Sequence, residues 1–208
     1  MERLMHLKQK KNKGFTLLEV IVVVVLIGII SAAGYPEFNK WKKDREARLA
    51  TEEIAGLIVN ASNLGQRGEY PYTQLHFNAV GSNVTVTLKG MTQDSLSNKQ
   101  NTGAQPNCSM NAVPSYWDKN IAIKSFTNIS LHFTGGPGAI CFSKDASFYK
   151  TMGRIGANDK TMLICYIQTR NACPINGGNG QEPVYLVEWS RFGNVVKKKW
   201  NGSAWITR

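Results

Sequence analysis

The strongest pattern along the chain is an apolar run near its N-terminal end. Residues 15–33 hold nineteen positions and a single charge, Glu19. A helix of about this length crosses the hydrocarbon layer of a bilayer. After this run, apolar residues recur every three or four positions, at Ala47, Ala50, Ile54, Leu57, Ile58, Ala61 and Leu64. The pattern predicts one long helix with a transmembrane half over residues 15–36 and an amphipathic half over residues 37–68.

Three features shape this predicted helix. Pro36 lacks a backbone N–H, so we expect a kink or a local disruption of the helix there. Gly65 and Gly68, followed by Pro71, predict the end of the helix. The charged positions between residues 42 and 53 are interpreted as a solvated helix face.

Beyond residue 72 the apolar positions alternate with period two, which is typical of strands. Alternation is clearest at Val84, Val86 and Leu88, and again at Ile129, Leu131 and Phe133. Further β-rich runs lie at 139–143, 161–169, 184–190 and 193–200. We therefore predict an α+β fold, in which an antiparallel β-sheet in a head domain of residues 69–208 packs on the apolar stripe of the helix. Residues 91–120 are predicted to form an irregular loop.

The four cysteines, Cys108, Cys141, Cys165 and Cys173, all follow the apolar run. Without a C-x-x-C pair or a histidine cluster, a zinc site is not predicted. Two disulfides in an oxidising compartment are expected. Of the three possible connectivities, Cys165–Cys173 with Cys108–Cys141 is favoured because the first pair is local in sequence; free buried thiols are the alternative.

The chain has a formal net charge of +11, from 25 Lys and Arg against 14 Asp and Glu. Residues 1–14 hold five of these cations and one anion. Basic residues before an apolar span stay cytoplasmic, so we expect a single-pass protein whose head lies outside the cytoplasm. The remaining excess of positive charge favours an anionic partner, or is simply a well-solvated surface.

Glu19 is the informative residue of the apolar run, because a carboxylate there costs about 2.5–3.5 kcal/mol on insertion scales and needs a partner. Its short side chain cannot reach far toward the interface. If the chain is cut between Gly14 and Phe15, the new amino group at Phe15 is a cation near the bilayer surface. We hypothesise that Glu19 of one subunit pairs with this amine on a neighbour and sets the axial register of a helix bundle.

Residues 13–20, Lys-Gly-Phe-Thr-Leu-Leu-Glu-Val, resemble the processing signal of type IV prepilins. Gly28 and Pro36 also fall where pilins carry a helix Gly and a helix Pro. The resemblance implies the pilin fold, a leader peptide over residues 1–14 that is cleaved after Gly14, and N-methylation of Phe15 by a prepilin peptidase. It further implies storage in the inner membrane, and then polymerisation with other pilins or pseudopilins into a filament whose core is these helices.

Two further segments resemble one subgroup of that family. Residues 138–147 are similar to a hairpin of the H-type pseudopilins, the GspH/FimT group, with Ala146 in place of the usual Gly. Residues 185–195 resemble their C-terminal hairpin around Gly193. The resemblance implies a minor pilin or pseudopilin of a type IV pilus or a type II secretion pseudopilus.

The C-terminal stretch combines cations with aromatic rings, a composition that suits non-specific DNA binding. The candidate residues are Arg191, Lys197, Lys198, Lys199 and Trp200. Some FimT-like minor pilins bind DNA in natural transformation through a Gly-Arg-x-Arg motif near this hairpin, whereas residues 193–196 here are Gly-Asn-Val-Val. A DNA-binding competence pilin is therefore the alternative function, and an edge strand protected by charge is the structural alternative.

The sequence contains none of the motifs expected of an enzyme. His76 and His132 lie in strand-like runs, and no nucleophile elbow, Walker loop or HExxH motif is present. Residues 177–180, Gly-Gly-Asn-Gly, lack the Lys-Ser/Thr of a phosphate-binding loop and suggest a hairpin turn. We predict a non-enzymatic protein without metal or cofactor. A free-standing anchored protein outside the cytoplasm with a chance leader match is the remaining alternative.

Overall fold

The computed structural model describes residues 14–80, 83–101, 108, 117–133, 138–145, 160–167, 173–174 and 182–207. The described helices are α1 (Leu17–Gln66) and α2 (Gln93–Asn101). The described strands are β1 (Tyr72–Val80), β2 (Asn83–Met91), β3 (Lys119–Thr127), β4 (Ile129–Phe133), β5 (Ala139–Ser143), β6 (Thr161–Tyr166), β7 (Val184–Trp189), β8 (Val195–Trp200) and β9 (Trp205–Thr207). The chain divides into two compact units, Met1–Lys40 and Trp41–Arg208.

Both ends of α1 carry local signals that explain their positions. Thr16 precedes the first helical residue, and its Oγ1 accepts a hydrogen bond of 3.2 Å from the backbone N–H of Glu19, as an N-cap does. At the other end Gly68 has a φ of +73°. The N–H of Gly68 bonds to the carbonyl of Gly65, and the N–H of Glu69 bonds to that of Leu64. This pair of bonds is a Schellman motif, which ends the helix where the sequence predicts.

The second unit contains two antiparallel sheets. The first has the strand order β3-β2-β1-β5, and the second has the order β4-β6-β7-β8-β9. The chain passes from one sheet to the other at Asn128, which separates β3 from β4 and has a φ of 59°. Asn tolerates this left-handed conformation better than most side chains, so it allows a sharp corner. The predicted α+β class is confirmed, but there are two sheets where the sequence suggested one.

One hydrophobic core joins α1 to the inner faces of both sheets. From the helix, Ala47, Ala50, Ile54, Ile58 and Ala61 are almost completely buried, which confirms the predicted stripe. The sheets contribute Leu75, Phe77, Val84, Val86, Leu88, Ile129, Ile140, Phe142, Met162, Ile164, Tyr166, Tyr185, Val187 and Trp189. The alternation of these residues along their strands is what places them on one face.

Each sheet has a smaller apolar cluster outside this core, and each cluster contains one disulfide. Cys108–Cys141 lies with Met91, Leu96 and Trp117 beside the first sheet. Cys165–Cys173 lies with Leu163, Val184 and Leu186 beside the second sheet. This is the pairing that the sequence analysis favours. Each bond joins a cysteine outside the described strands to a strand, Cys108 to β5 and Cys173 to β6.

Several elements differ from the sequence-based predictions. The sequence analysis places His76 in a strand-like run, which agrees with β1, but it does not predict β3 or β9. Lys119–Thr127 mixes polar and apolar residues on both faces, so its pattern does not indicate a strand. Helix α2 lies inside the predicted loop 91–120, and Leu96 is its buried residue. The helix has a weak apolar face, so its position depends on tertiary packing rather than on local pattern.

Asp118, directly before β3, is hydrogen-bonded to Thr92, directly after β2. Its carboxylate accepts hydrogen bonds from the Thr92 backbone N–H at 2.9 Å and from the Thr92 hydroxyl at 2.6 Å. Thr92 in turn caps α2, because its Oγ1 accepts a bond from the N–H of Ser95. Burial by itself would raise the pKa of Asp118, but the hydrogen bonds from the Thr92 side chain and backbone, together with the nearby charge of Lys119, lower it.

The turn between β7 and β8 packs against the last turns of α1. Gly193 has a φ of +78°, and a Cβ at this position would lie 2.2 Å from the Cβ of Ser62. The Gln66 side chain donates a hydrogen bond of 2.9 Å to the carbonyl of Phe192. The Ser190 hydroxyl accepts bonds from the N–H groups of Phe192 and Asn194. The absence of a side chain at residue 193 thus allows the second sheet to dock on the helix.

We expect Gly193→Ala to lower the free energy of unfolding by roughly 2–4 kcal/mol, because the substitution combines a strained φ with a steric clash. Chemical denaturation monitored by circular dichroism measures the change. Gly56→Ala is the matched control, since a Cβ there meets nothing within 4 Å. The control should leave stability unchanged or raise it by about 1 kcal/mol through helix propensity. Equal effects of the two substitutions would contradict the docking role of Gly193.

We expect Asp118→Asn to destabilise the protein at neutral pH, because it removes a charged acceptor of two hydrogen bonds. A carboxyl group whose pKa is lowered by folding stabilises the folded protein at pH values above its unfolded pKa of about 3.9. This stabilisation is lost as the pH falls through the folded pKa. The difference in stability between wild type and variant should therefore narrow below about pH 4. Denaturation curves at neutral and acidic pH test this, and a difference that does not depend on pH would oppose it.

Candidate assembly segment and basic hairpin

The first unit presents an almost continuous apolar surface on α1. Phe15 is 82% exposed, and most large side chains that follow are about half exposed or more. These side chains are Leu17, Leu18, Val20, Ile21, Val22, Val23, Val24, Val25, Leu26, Ile27, Ile29 and Ile30. An exposed apolar surface of this extent marks a contact with lipid or with other protein chains.

A helix that is apolar on all sides is typical of a membrane span or a buried bundle core. Within the described residues no single helix is both long and apolar enough to cross a bilayer. Taken together, the two parts of α1 on either side of residue 33, Leu17–Ala32 and Gly34–Gln66, meet the requirement of length and composition.

The residues predicted for processing and assembly lie at the start of α1 and within it. Gly14 and Phe15 precede the helix and are exposed, whereas the rest of the predicted leader, residues 1–13, lies outside the described residues. Glu19 lies in the first helical turn, and Pro36 lies inside α1. A carboxylate in the first turn interacts favourably with the positive end of the helix dipole. Glu19 therefore has a local structural role in addition to the hypothesised pairing.

The basic hairpin is built differently from the sequence-based hypothesis. Each of the three consecutive lysines on β8 forms an ion pair: Lys197 with Glu52, Lys198 with Glu188 and Lys199 with Asp44. The Tyr185 hydroxyl also donates a hydrogen bond of 2.9 Å to Asp44. Alternation along the strand directs Lys197 and Lys199 toward α1 and Lys198 toward the opposite face. The structure thus divides these lysines between two faces of the sheet.

The predicted solvated face is confirmed at Lys42, Arg45, Arg48, Glu52 and Glu53, which are exposed, whereas Lys43, Asp44 and Glu46 are half-buried. Asp44 and Glu52 bind lysines of β8, Lys43 pairs with Glu182 at 3.1 Å, and Glu53 pairs with Lys124 at 3.2 Å. These partners are 71 to 155 residues away in sequence, so no periodic pattern in the helix identifies them. The sequence indicates these contacts only through acidic positions on the helix and basic positions on β8, near the C-terminus.

The remaining candidate residues of the hairpin occupy separate places. The Arg191 guanidinium lies 4.6 Å from the centre of the Phe192 ring at the turn, and both side chains are exposed. The Trp200 and Trp205 rings pack against each other, with centres 5.2 Å apart, beside the cluster that contains Cys165–Cys173. Unlike Lys197, Lys198 and Lys199, Arg191 has no carboxylate within ion-pair distance among the described residues, and its side chain is exposed.

Residues 9–35 match the family model described as the prokaryotic N-terminal methylation motif. Two fimbrial proteins of Pseudomonas aeruginosa are each 33% identical to this chain over 54 residues, which is 26% of this chain and 35% of each relative. The chain thus spans about a third of the length of the curated relatives it matches. No solved structure matches the chain.

Proposed function

We propose that this chain, whose methylation motif and fimbrial relatives support the type IV pilin family, is a structural subunit of a bacterial surface filament. The motif implies a membrane-anchored N-terminal helix that afterwards enters the filament. The observation that carries the proposal is the exposed apolar surface of α1, directly after Gly14 and Phe15. The head domain has a core of its own, so this surface is available for lipid and then for neighbouring helices.

The finer assignment is to a minor pilin or pseudopilin of a type IV pilus or a type II secretion pseudopilus. It is supported by the resemblance of residues 138–147 and 185–195 to GspH/FimT hairpins. The four cysteines, which pair as two disulfides, support it as well, because they exceed what a simple major subunit needs. In this proposal a prepilin peptidase cuts after Gly14 and methylates Phe15, and the head lies outside the cytoplasm.

Glu19 has a specific task in the proposed assembly. In a bilayer or a filament core its carboxylate requires a partner, and the freed amino group of Phe15 on a neighbouring subunit is a cation at similar depth. Pairing of the two groups sets the axial position of one helix relative to the next. Pro36, inside α1, lets the helix bend as the subunits pack.

We expect Glu19→Ala to leave the protein processed and membrane-bound but absent from filaments, because its register-setting charge is lost. Mass spectrometry of the mature N-terminus should show methylated Phe15 in both wild type and variant, and filament fractions are probed by immunoblotting. Glu37→Ala is the matched control, since Glu37 is an exposed carboxylate of the same helix that pairs with Lys40. Retention of residues 1–14 would refute the pilin assignment, and normal assembly of Glu19→Ala would refute the role of Glu19 alone.

The second candidate function is that of a DNA-binding competence minor pilin in natural transformation. It is favoured by the exposed Arg191–Phe192 pair, which a turn with several hydrogen bonds holds in place. An arginine beside an exposed ring can contact a phosphate and a base together. The ion pairs of Lys197, Lys198 and Lys199 count against a site on β8.

If DNA binds at this turn, Arg191→Gln should weaken binding and reduce the salt dependence by about one phosphate contact. Lys198→Gln is the control of equal charge change, and we expect a smaller effect because Glu188 already neutralises Lys198. Mobility-shift assays over a range of salt concentrations measure both effects. No salt-dependent shift at micromolar protein would exclude this second function without affecting the first.

A further inference from the structure

The exposed face of α1 at the start of the second unit combines cations with apolar side chains. Trp41, Arg45 and Arg48 share one face at helical spacing, and Lys42 and Leu49 flank them. We call these five residues the interfacial patch. Trp41 is 54% exposed and Leu49 is 48% exposed. The Arg45 guanidinium lies 5.5 Å from the centre of the Trp41 ring.

The cations of the patch differ from their neighbours on the same helix. Lys43, Asp44, Glu52 and Glu53 each form an ion pair with a residue of a strand or loop in the head. Within the described residues no carboxylate lies within ion-pair distance of Lys42, Arg45 or Arg48. The half-buried Glu46 adds one negative charge to this stretch, so three cations stand against one anion.

We propose that the interfacial patch binds the surface of an anionic phospholipid bilayer before the subunit enters a filament. Tryptophan prefers the headgroup region, where its ring is in a partly apolar environment and its N–H remains hydrated. Arginine and lysine bind lipid phosphates, so they are attracted to an anionic membrane surface. This inference rests on the membrane anchoring proposed above, and it adds a second contact with the same bilayer.

Charge favours the bilayer over a second copy of the chain as the occupant. A second copy must supply carboxylates, but many of those on the described residues already hold a lysine. These engaged carboxylates are Glu37, Asp44, Glu52, Glu53, Glu182 and Glu188. An anionic bilayer instead offers a continuous layer of phosphates, which three cations with nearby apolar side chains complement.

The experiment compares the full mature chain in vesicles of phosphatidylcholine alone with vesicles that also contain phosphatidylglycerol. The signal of Trp41 is isolated by subtracting the fluorescence of Trp41→Phe from that of wild type, because the other four tryptophans are common to both. We expect the emission of Trp41 to shift to shorter wavelength and its quenching by acrylamide to fall only when phosphatidylglycerol is present. High salt should reverse both changes, because the contact is electrostatic.

Charge variants locate the contact. Arg45→Glu with Arg48→Glu should abolish the shift of Trp41, whereas Arg45→Lys with Arg48→Lys should retain it. Arg67→Glu with Lys144→Glu changes the net charge equally at exposed positions elsewhere in the second unit, and it should leave the shift intact. An equal loss in that control would show that net charge alone is responsible, and the patch would be ruled out.

The remaining outcomes separate this inference from the function on which it rests. If the chain floats with both kinds of vesicle but Trp41 is equally accessible in each, the inference is wrong and the membrane anchor stands. If shielding of Trp41 increases with the number of chains per vesicle and does not depend on phosphatidylglycerol, the occupant is a second copy, and the inference is again wrong. If the chain floats with neither kind of vesicle, both the anchor and the inference are overturned.

Discussion

The second unit depends on the burial of one helix face against two sheets. Ala47, Ala50, Ile54, Ile58 and Ala61 form the single surface to which the inner faces of both sheets are joined. Small residues at three of these positions let strands approach the helix closely, and the close approach of Gly193 to Ser62 extends this packing to the last turns of the helix. Because both sheets use the same helix as their support, the loss of packing at one sheet also loosens the other.

Ion pairs and disulfides supplement the apolar core. Asp44 and Glu52 attach β8 to the helix, although ion pairs with partial exposure contribute only modestly to stability. Their more important effect is to fix which strand lies over which helical turn. The two disulfides join Cys108 to β5 and Cys173 to β6.

Charges on α1 divide into two groups with different roles. Asp44 and Glu52 form ion pairs with lysines of β8, whereas Arg45 and Arg48 are exposed at the surface. The N-terminal apolar surface and the surface cations therefore present two kinds of chemistry on one helix. The first suits the interior of a bilayer or a helix bundle, and the second suits the charged boundary of a bilayer.

The sequence by itself determined the helix, its apolar stripe and the α+β class, because these follow from periodicity and length, which are local properties. The signal around Gly14, Phe15 and Glu19 was also evident, since its meaning depends on neighbouring residues alone. Even the disulfide pairing could be anticipated, because Cys165 and Cys173 are close in sequence. Only the tertiary structure revealed the second sheet and strand β3. Polar and apolar residues do not alternate regularly along β3, and its position depends on pairing with β2. It also decided that Lys197 and Lys199 form ion pairs with Glu52 and Asp44, because these carboxylates come near them only after the chain has folded.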